Sequence, residues 1–379
     1  MKKIALIGST GSIGRQTINV CSRYPDKFKI VSIAGGSNEE LFLQQVKDIR
    51  PNVATLIKQP KENYQTLSPK TEFYFGENAF TSAIIEEADV VVVALVGFKG
   101  IIAVLDAIKK GKNIALANKE SLVVGGELVM RLAKEKGVSI VPIDSEHSAI
   151  WQALDFDFEK PFNRIILTAS GGAFRDLTKK ELETATALDA LKHPNWTMGA
   201  KITIDCATLV NKAFEVIEAK WLYNAPFSKI NVIIHRESII HSMVEFMDSS
   251  TIAQLSYPSM ELPIQLALTY PERFSSGLKG LDFASIGKLT FSKPDNERFP
   301  CLDLVVSAGK EGGLYPAVAN GANEVAVKLY LENKIKFTDI YKSINEALQS
   351  FKGGKIKDYE SLEEADLFSR NFVKEKFGE

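Results

Sequence analysis

The seven residues Gly8-Ser-Thr-Gly11-Ser-Ile-Gly14 constrain this chain more than any other segment, because they follow a candidate strand at 3–7 and open an amphipathic stretch. Glycines at a strand-to-helix junction let backbone N–H groups at the helix N-terminus approach a pyrophosphate. The spacing G-x-x-G-x-x-G is a variant of the dinucleotide fingerprint. Such turns also arise for packing alone, but the strand-first, N-terminal setting weighs toward a nucleotide.

Runs rich in β-branched residues at 28–33, 52–57, 89–95, 113–117 and 138–143 alternate with amphipathic stretches, which predicts a parallel sheet flanked by helices. Residues 90–95 are apolar without alternation, as expected of a strand covered on both faces. The second run ends Ala34-Gly35-Gly36-Ser37-Asn38, with no carboxylate to accept a ribose 2′-hydroxyl. A 2′-phosphate meets no repelling charge there, so NADP is favoured over NAD, although no Arg or Lys stands in that turn to bind it.

Past Asp144 the pattern changes. A strand at 164–168 is followed by a helical run and a loop at 192–199, and a second helix is expected from about 207. Strands at 231–234, 238–246 and 251–257 come next, the last two joined as a hairpin through Asp248-Ser249-Ser250. The fold class is thus α/β. It comprises a Rossmann-like parallel-sheet domain at 1–143, a central α+β domain with antiparallel strands at 144–270, a Pro-, Gly- and Ser-rich connection at 271–302 and a C-terminal helical bundle at 303–379. In the bundle Thr338 is expected to cap a helix that stops at Gly353-Gly354. Ser361-Leu-Glu-Glu364 should open the last helix, with Leu362, Ala365, Phe368, Phe372 and Phe377 along its inner face.

Composition narrows the function classes. The 379 residues suffice for two or three domains, and 46 Lys plus Arg against 47 Asp plus Glu leave a net charge of -1, so no basic field awaits nucleic acid. Cys21, Cys206 and Cys301 are odd in number and far apart, which fits a reducing compartment and speaks against a disulfide scaffold or structural zinc. The longest apolar stretch, 91–97, is too short to cross a bilayer, and the first residues lack a leader pattern, so a soluble cytoplasmic protein is expected.

Four segments could carry chemistry. Asp144-Ser145-Glu146 lies at the carboxyl end of the run 138–143, where open α/β sheets place ligands. If the segment is extended, both carboxylates point one way, and oxygen-only ligation suits Mg2+ or Mn2+. Taken alone, it reads more readily as a solvated acidic turn capping the next helix. Asn211, Lys212 and Glu215 can share one helical face; an ordinary surface ion pair is one reading, but the apolar residues around them imply burial, where charges need a ligand or a metal. Ser170-Gly171-Gly172 could cradle a phosphate. The loop His193-Pro-Asn-Trp196-Thr-Met198-Gly199 has the composition of a water-excluding lid, or equally of a packed tryptophan beside a satisfied histidine. His147 and His235 read as structural.

These residues recur in longer blocks: GSTGSIG at 8–14, ALANKESLV at 115–123, PIDSEHSAIWQ at 142–152, LTASGGAFRD at 167–176, HPNWTMGAKITID at 193–205, ATLVNKAFEVIEA at 207–219, HRESIIHSMVEF at 235–246 and ANEVAV at 322–327. In that order they resemble the 1-deoxy-D-xylulose 5-phosphate reductoisomerase family over essentially the whole chain. The resemblance implies an enzyme of isoprenoid precursor synthesis that turns 1-deoxy-D-xylulose 5-phosphate and NADPH into 2-C-methyl-D-erythritol 4-phosphate and NADP+. It further implies a metal-assisted retro-aldol and aldol rearrangement before hydride reduction, in a homodimer without nucleic-acid or membrane partners.

Carried over residue by residue, the resemblance gives Asp144, Glu146 and Glu215 the divalent metal, Mg2+ or Mn2+, and gives Lys119 and Ser145 the reacting oxygens. Ser170, Cys206, Asn211 and Lys212 would bind the substrate phosphate with His193 beside them, and Trp196 and Met198 would close over the carbon chain. Gly8, Thr10, Gly11, Ser12, Ile13, Gly36, Ser37, Asn38, Asn118, Lys119, Glu120 and Gly199 would grip NADPH. Two positions depart from the family pattern. Cys206 stands where serine is usual and Ser37 where Lys or Arg is common, implying a weaker phosphate hydrogen bond and a less steep preference for NADPH. Two rival readings are a metal-independent semialdehyde-type dehydrogenase with Cys206 as nucleophile and His193 as its base, and a non-enzymatic nucleotide sensor.

Overall fold

The computed structural model describes residues 1–60, 64–192, 195, 196 and 198–377. Two compact units emerge. The first is built from Met1–Ser121, Val129–Ser148 and Ser259–Leu278, and the second from Leu122–Leu128, Ala149–Pro258 and the chain from Lys279 onward.

In the first unit seven strands, β1 (Lys2–Ile7), β2 (Phe28–Ala34), β3 (Val53–Leu56), β4 (Glu72–Phe75), β5 (Val90–Val93), β6 (Asn113–Leu116) and β7 (Ile140–Pro142), form a wholly parallel sheet in the order β4-β3-β2-β1-β5-β6-β7. Strand β5 is buried along its length, which is why its sequence does not alternate. Strand β4 was not foreseen. It is a four-residue edge strand whose side chains are exposed or half-buried, too short and too polar at its start to stand out.

The strand order reverses at β1, whose neighbours are β2 and β5, so the carboxyl ends of β1 and β5 mark the switch point where α/β sheets bind ligands. The helix Glu261–Thr269 corrects the expected boundary at 270. Its Ile264, Ala267 and Leu268 pack into the core with Ile4 and Leu6, and the Lys2 ammonium donates to the Leu268 carbonyl at 2.5 Å. An apolar helix can cover either sheet, so no local signal marks this return to the first unit.

In the second unit β8 (Arg164–Ala169), β9 (Ile230–Ile234), β10 (Ile240–Glu245) and β11 (Thr251–Leu255) lie in the order β11-β10-β8-β9. The antiparallel strands expected there are present as β10–β11 and β10–β8, and they share the sheet with one parallel pair, β8–β9. A parallel pair requires a long crossover, which the helices Ala200–Thr208 and Val210–Leu222 provide. The first of these starts at Ala200, earlier than the expected 207, and it ends at Leu209 in the left-handed region (φ 63°).

Four further helices, Cys301–Glu311, Tyr315–Leu331, Phe337–Ser350 and Tyr359–Phe377, belong to this same unit. Their caps differ from expectation. The Asp339 carboxylate accepts from Lys336 N at 3.0 Å, which starts that helix before Thr338, and Asp358 accepts from Ser361 N at 2.9 Å, which places Ser361 inside the first turn of the last helix. The buried line of that last helix runs through Leu362, Ala365, Ser369 and Val373. Phe368 lies on the flank against Phe351 and Phe372. Among the described residues no helix is long and apolar enough to cross a membrane.

Candidate active site

The glycine turn is shaped by close backbone approach. Gly8 has φ +98°, and a Cβ there would lie 2.5 Å from the Ala94 carbonyl oxygen at the end of β5; a Cβ on Gly14 would lie 2.2 Å from the Gly8 oxygen. Gly8 N and Ser9 N donate to Ala34 O at 2.9 and 2.8 Å, drawing the turn to the end of β2. The helix Ser12–Arg23 then begins at Gly11 with no side-chain cap, so no side chain of the cap blocks the N-terminal amides. Gly36 has open space where a side chain would be, while the Asn38 side-chain oxygen accepts from Leu41 N at 3.1 Å as the next helix cap.

Beyond β6 the three adjacent residues divide their work. Asn118 donates to Leu95 O and Gly97 O at 3.1 Å each and to Glu120 at 2.9 Å, and it accepts from Ser121 N at 3.1 Å, so its amide fastens the loop after β5. Lys119 turns instead to Asp144, whose carboxylate lies 2.5 Å from its ammonium. Asp144 is buried, which removes the reading of a solvated acidic turn. The strand-alternation argument for Asp144 and Glu146 also fails, because Ser145 opens the helix Ser145–Ala153 and only the Asp144 carbonyl takes part in it, accepting from Ser148 N. Glu146 is half-buried, and the Ser145 hydroxyl donates to its carboxylate. His147 and His235 are both fully buried. The His235 ring meets the Thr290 carbonyl at 3.0 Å and accepts from Ile239 N and Ile240 N, a structural pin.

The second unit gathers the groups expected around a phosphate. Gly171 and Gly172 have φ +83° and +71°, and a Cβ on Gly172 would lie 2.5 Å from Cys206 O, so this loop touches the helix that carries Cys206. Ser170 Oγ accepts from Gly172 N at 3.2 Å, and Cys206 is half-buried. In the first turns of the next helix, Asn211 donates to Glu215 at 2.6 Å and the Lys212 ammonium pairs with the other oxygen of the same carboxylate. All three side chains are buried, as the apolar surroundings predicted.

Three residues escaped the sequence reading. Asp205, buried next to Cys206, pairs with Lys201 at 2.8 Å and accepts from Asn323 at 2.8 Å on the helix Tyr315–Leu331. The partners are 118 residues apart, and only the packed fold reveals them. Trp196 stands edge-on to His241 at 6.0 Å, Met198 is half-buried, and Gly199 caps the helix Ala200–Thr208; His193 lies outside the described residues.

Family models match this chain at 4–126 and 140–223, described as 1-deoxy-D-xylulose 5-phosphate reductoisomerase and its C-terminal domain, and at 255–372, described as the DXP reductoisomerase C-terminal domain. The chain belongs to the 1-deoxy-D-xylulose 5-phosphate reductoisomerase family. The reductoisomerase of Caldanaerobacter subterraneus subsp. tengcongensis is 49% identical over 380 residues, covering 100% of both chains, and that of Shouchella clausii is 50% identical over 356 residues, covering 92% of this chain and 93% of its own. Two solved reductoisomerases are similar throughout. The Zymomonas mobilis enzyme in complex with NADPH has a TM-score of 0.91 at 36% identity, covering 98% of each chain. A DOX-P reductoisomerase in complex with NADPH, fosmidomycin and magnesium has a TM-score of 0.92 at 37% identity, covering 100% of this chain and 98% of its own. Every site residue expected from the sequence falls inside the first two reductoisomerase matches.

Proposed function

We propose that this chain converts 1-deoxy-D-xylulose 5-phosphate to 2-C-methyl-D-erythritol 4-phosphate with NADPH and a divalent cation, Mg2+ or Mn2+. The observation that carries the reading is the buried trio Asn211, Lys212 and Glu215, three polar side chains within about one helical turn, in a chain that aligns with reductoisomerases from end to end. Within the trio the Lys212 ammonium and the Asn211 amide both bond the Glu215 carboxylate, which offsets the cost of burying them.

Asp144, Glu146 and Glu215 would hold the cation. The donor set fits, since it is carboxylate only and hard cations take oxygen, and Asp144 and Glu215 already stand beside the ammonium groups of Lys119 and Lys212. The glycine turn fits NADPH, because a Cβ at Gly8 or Gly14 would fill the space the backbone needs. When bound, the cation acts as a Lewis acid toward the substrate's ketone and hydroxyl oxygens, and NADPH provides the hydride.

The protein's own groups do the rest. Lys119 holds a positive charge beside the reacting oxygens, with Ser145 as a neutral donor. Lys212, Asn211, Ser170 and Cys206 bind the phosphate dianion, with His193 beside them, so the far end of the substrate is fixed and its binding energy orients the near end. Trp196 and Met198 cover the carbon chain and exclude water. The first unit, the helix Glu261–Thr269 included, is the NADPH-binding one, and the enzyme works as a cytoplasmic homodimer.

The test is NADPH consumption with 1-deoxy-D-xylulose 5-phosphate, with and without chelator, with the product identified by mass and connectivity. Chelator-sensitive formation of the branched product is expected. Turnover that survives the chelator and is abolished by iodoacetamide would replace this reading with the Cys206 nucleophile.

A further inference from the structure

A 2′-phosphate on the cofactor needs a cation that the turn after β2 does not hold. Ala34 to Asn38 contains none, and the helix it opens, Glu39–Ile49, starts with Glu39 and Glu40. By analogy with other phosphomonoesters, a 2′-phosphate brings a charge of about -1.5 to -2 into this neighbourhood.

The neighbouring strand supplies the missing charge. Strands β2 and β3 are parallel and in register, with Ala34 opposite Thr55, and Gly35 N donates to Thr55 O at 2.8 Å. A Cβ on Gly35 would lie 3.1 Å from the Leu56 side chain, so the two strand ends stay adjacent as they leave the sheet. Paired strands lie about 4.8 Å apart. The paired register stops at Ala34 and Thr55; carried three residues further, it would bring Ser37 level with Lys58. Lys58 is exposed, and among the described residues no hydrogen bond or ion pair engages its ammonium. Its long flexible stem suits a point charge that must reach across one strand spacing.

We infer that Lys58 is the residue that selects NADPH over NADH, acting from β3 in place of the Lys or Arg that Ser37 displaces. The inference rests on the proposal that NADPH is the cofactor.

Fluorescence titration of the full chain with NADPH and with NADH, without substrate, separates the two ideas. Lys58→Ala is expected to weaken NADPH about fivefold, the equivalent of roughly 1 kcal/mol, while leaving NADH unchanged. The difference should shrink at high salt. Adding Ser37→Lys to Lys58→Ala should restore NADPH binding, and Lys47→Ala, which removes another surface lysine of this unit, should change neither cofactor. Unaltered NADPH binding in Lys58→Ala, or equal weakening of both cofactors, overturns the assignment. A wild-type protein that binds neither cofactor overturns the enzyme reading itself, and Lys58 with it.

Discussion

The Lys119 ammonium lies 2.5 Å from the Asp144 carboxylate, and each side chain is only 9% exposed. Each charge is compensated by the other, and under the proposed function Asp144 is shared between this lysine and the cation. Lys119→Met should therefore lower kcat by about 100-fold or more. Mn2+ binding, followed by titration calorimetry, should hold or tighten because a competing cation has gone. A variant with normal kcat removes Lys119 from the reaction.

Glu215 joins Asn211 and Lys212 in the interior of the second unit. Glu215→Gln leaves the Lys212 ammonium buried without its carboxylate, at a cost of about 3 kcal/mol in urea unfolding. Lys212→Met combined with Glu215→Met should recover most of that stability and none of the activity. Wild-type stability together with wild-type Mn2+ affinity in Glu215→Gln would contradict both roles given to this carboxylate.

Gly172 has φ +71°, and a Cβ there meets the Cys206 backbone at 2.5 Å, so Gly172→Ala must displace the loop from the helix. The Michaelis constant for the sugar phosphate should rise about tenfold or more, with the NADPH dissociation constant unchanged. Cys206→Ser should act in the opposite direction, because a hydroxyl is the stronger donor. Steady-state kinetics paired with NADPH titration distinguishes these outcomes, and a cofactor defect in either variant would assign the loop to the wrong ligand.

Asp366, buried beside Arg370 and Glu324, has its carboxyl pushed up from 3.8 to about 6, chiefly by desolvation and against the pull of Arg370. Its protonated form is favoured in the folded state. The corresponding stability, about 3 kcal/mol, is fully present below about pH 4 and is lost as the pH rises through 6. Relative to Asp366→Asn, the wild type should therefore gain most of that amount on moving from pH 7 to pH 4 in denaturant titrations. Parallel stability profiles for the two proteins would show that Asp366 does not titrate in this range.

Local patterns made much of the molecule legible. Six of the seven parallel strands follow from runs of β-branched residues, and the i,i+3 and i,i+4 bonds of Lys212 and Asn211 to Glu215 follow from helical spacing alone. The extended geometry assumed for Asp144 to Glu146 was wrong because a helix start is decided by one residue's backbone, and the period-two rule lapses at that residue. Edge strand β4 escaped notice for a related reason, since four half-exposed residues carry little periodicity.

By itself the amino-acid sequence determined the kinds of groups available and their neighbours within one turn or one strand: the glycine turn, the carboxylates, and the lysine and amide one helical turn from Glu215. Tertiary structure alone decided that Asp205 meets Asn323, that β8 and β9 run parallel, and that the helix Glu261–Thr269 returns to the first unit. Those pairings join residues far apart in the chain, and they are selected by burial of whole faces and by strand register, which no short window of sequence contains.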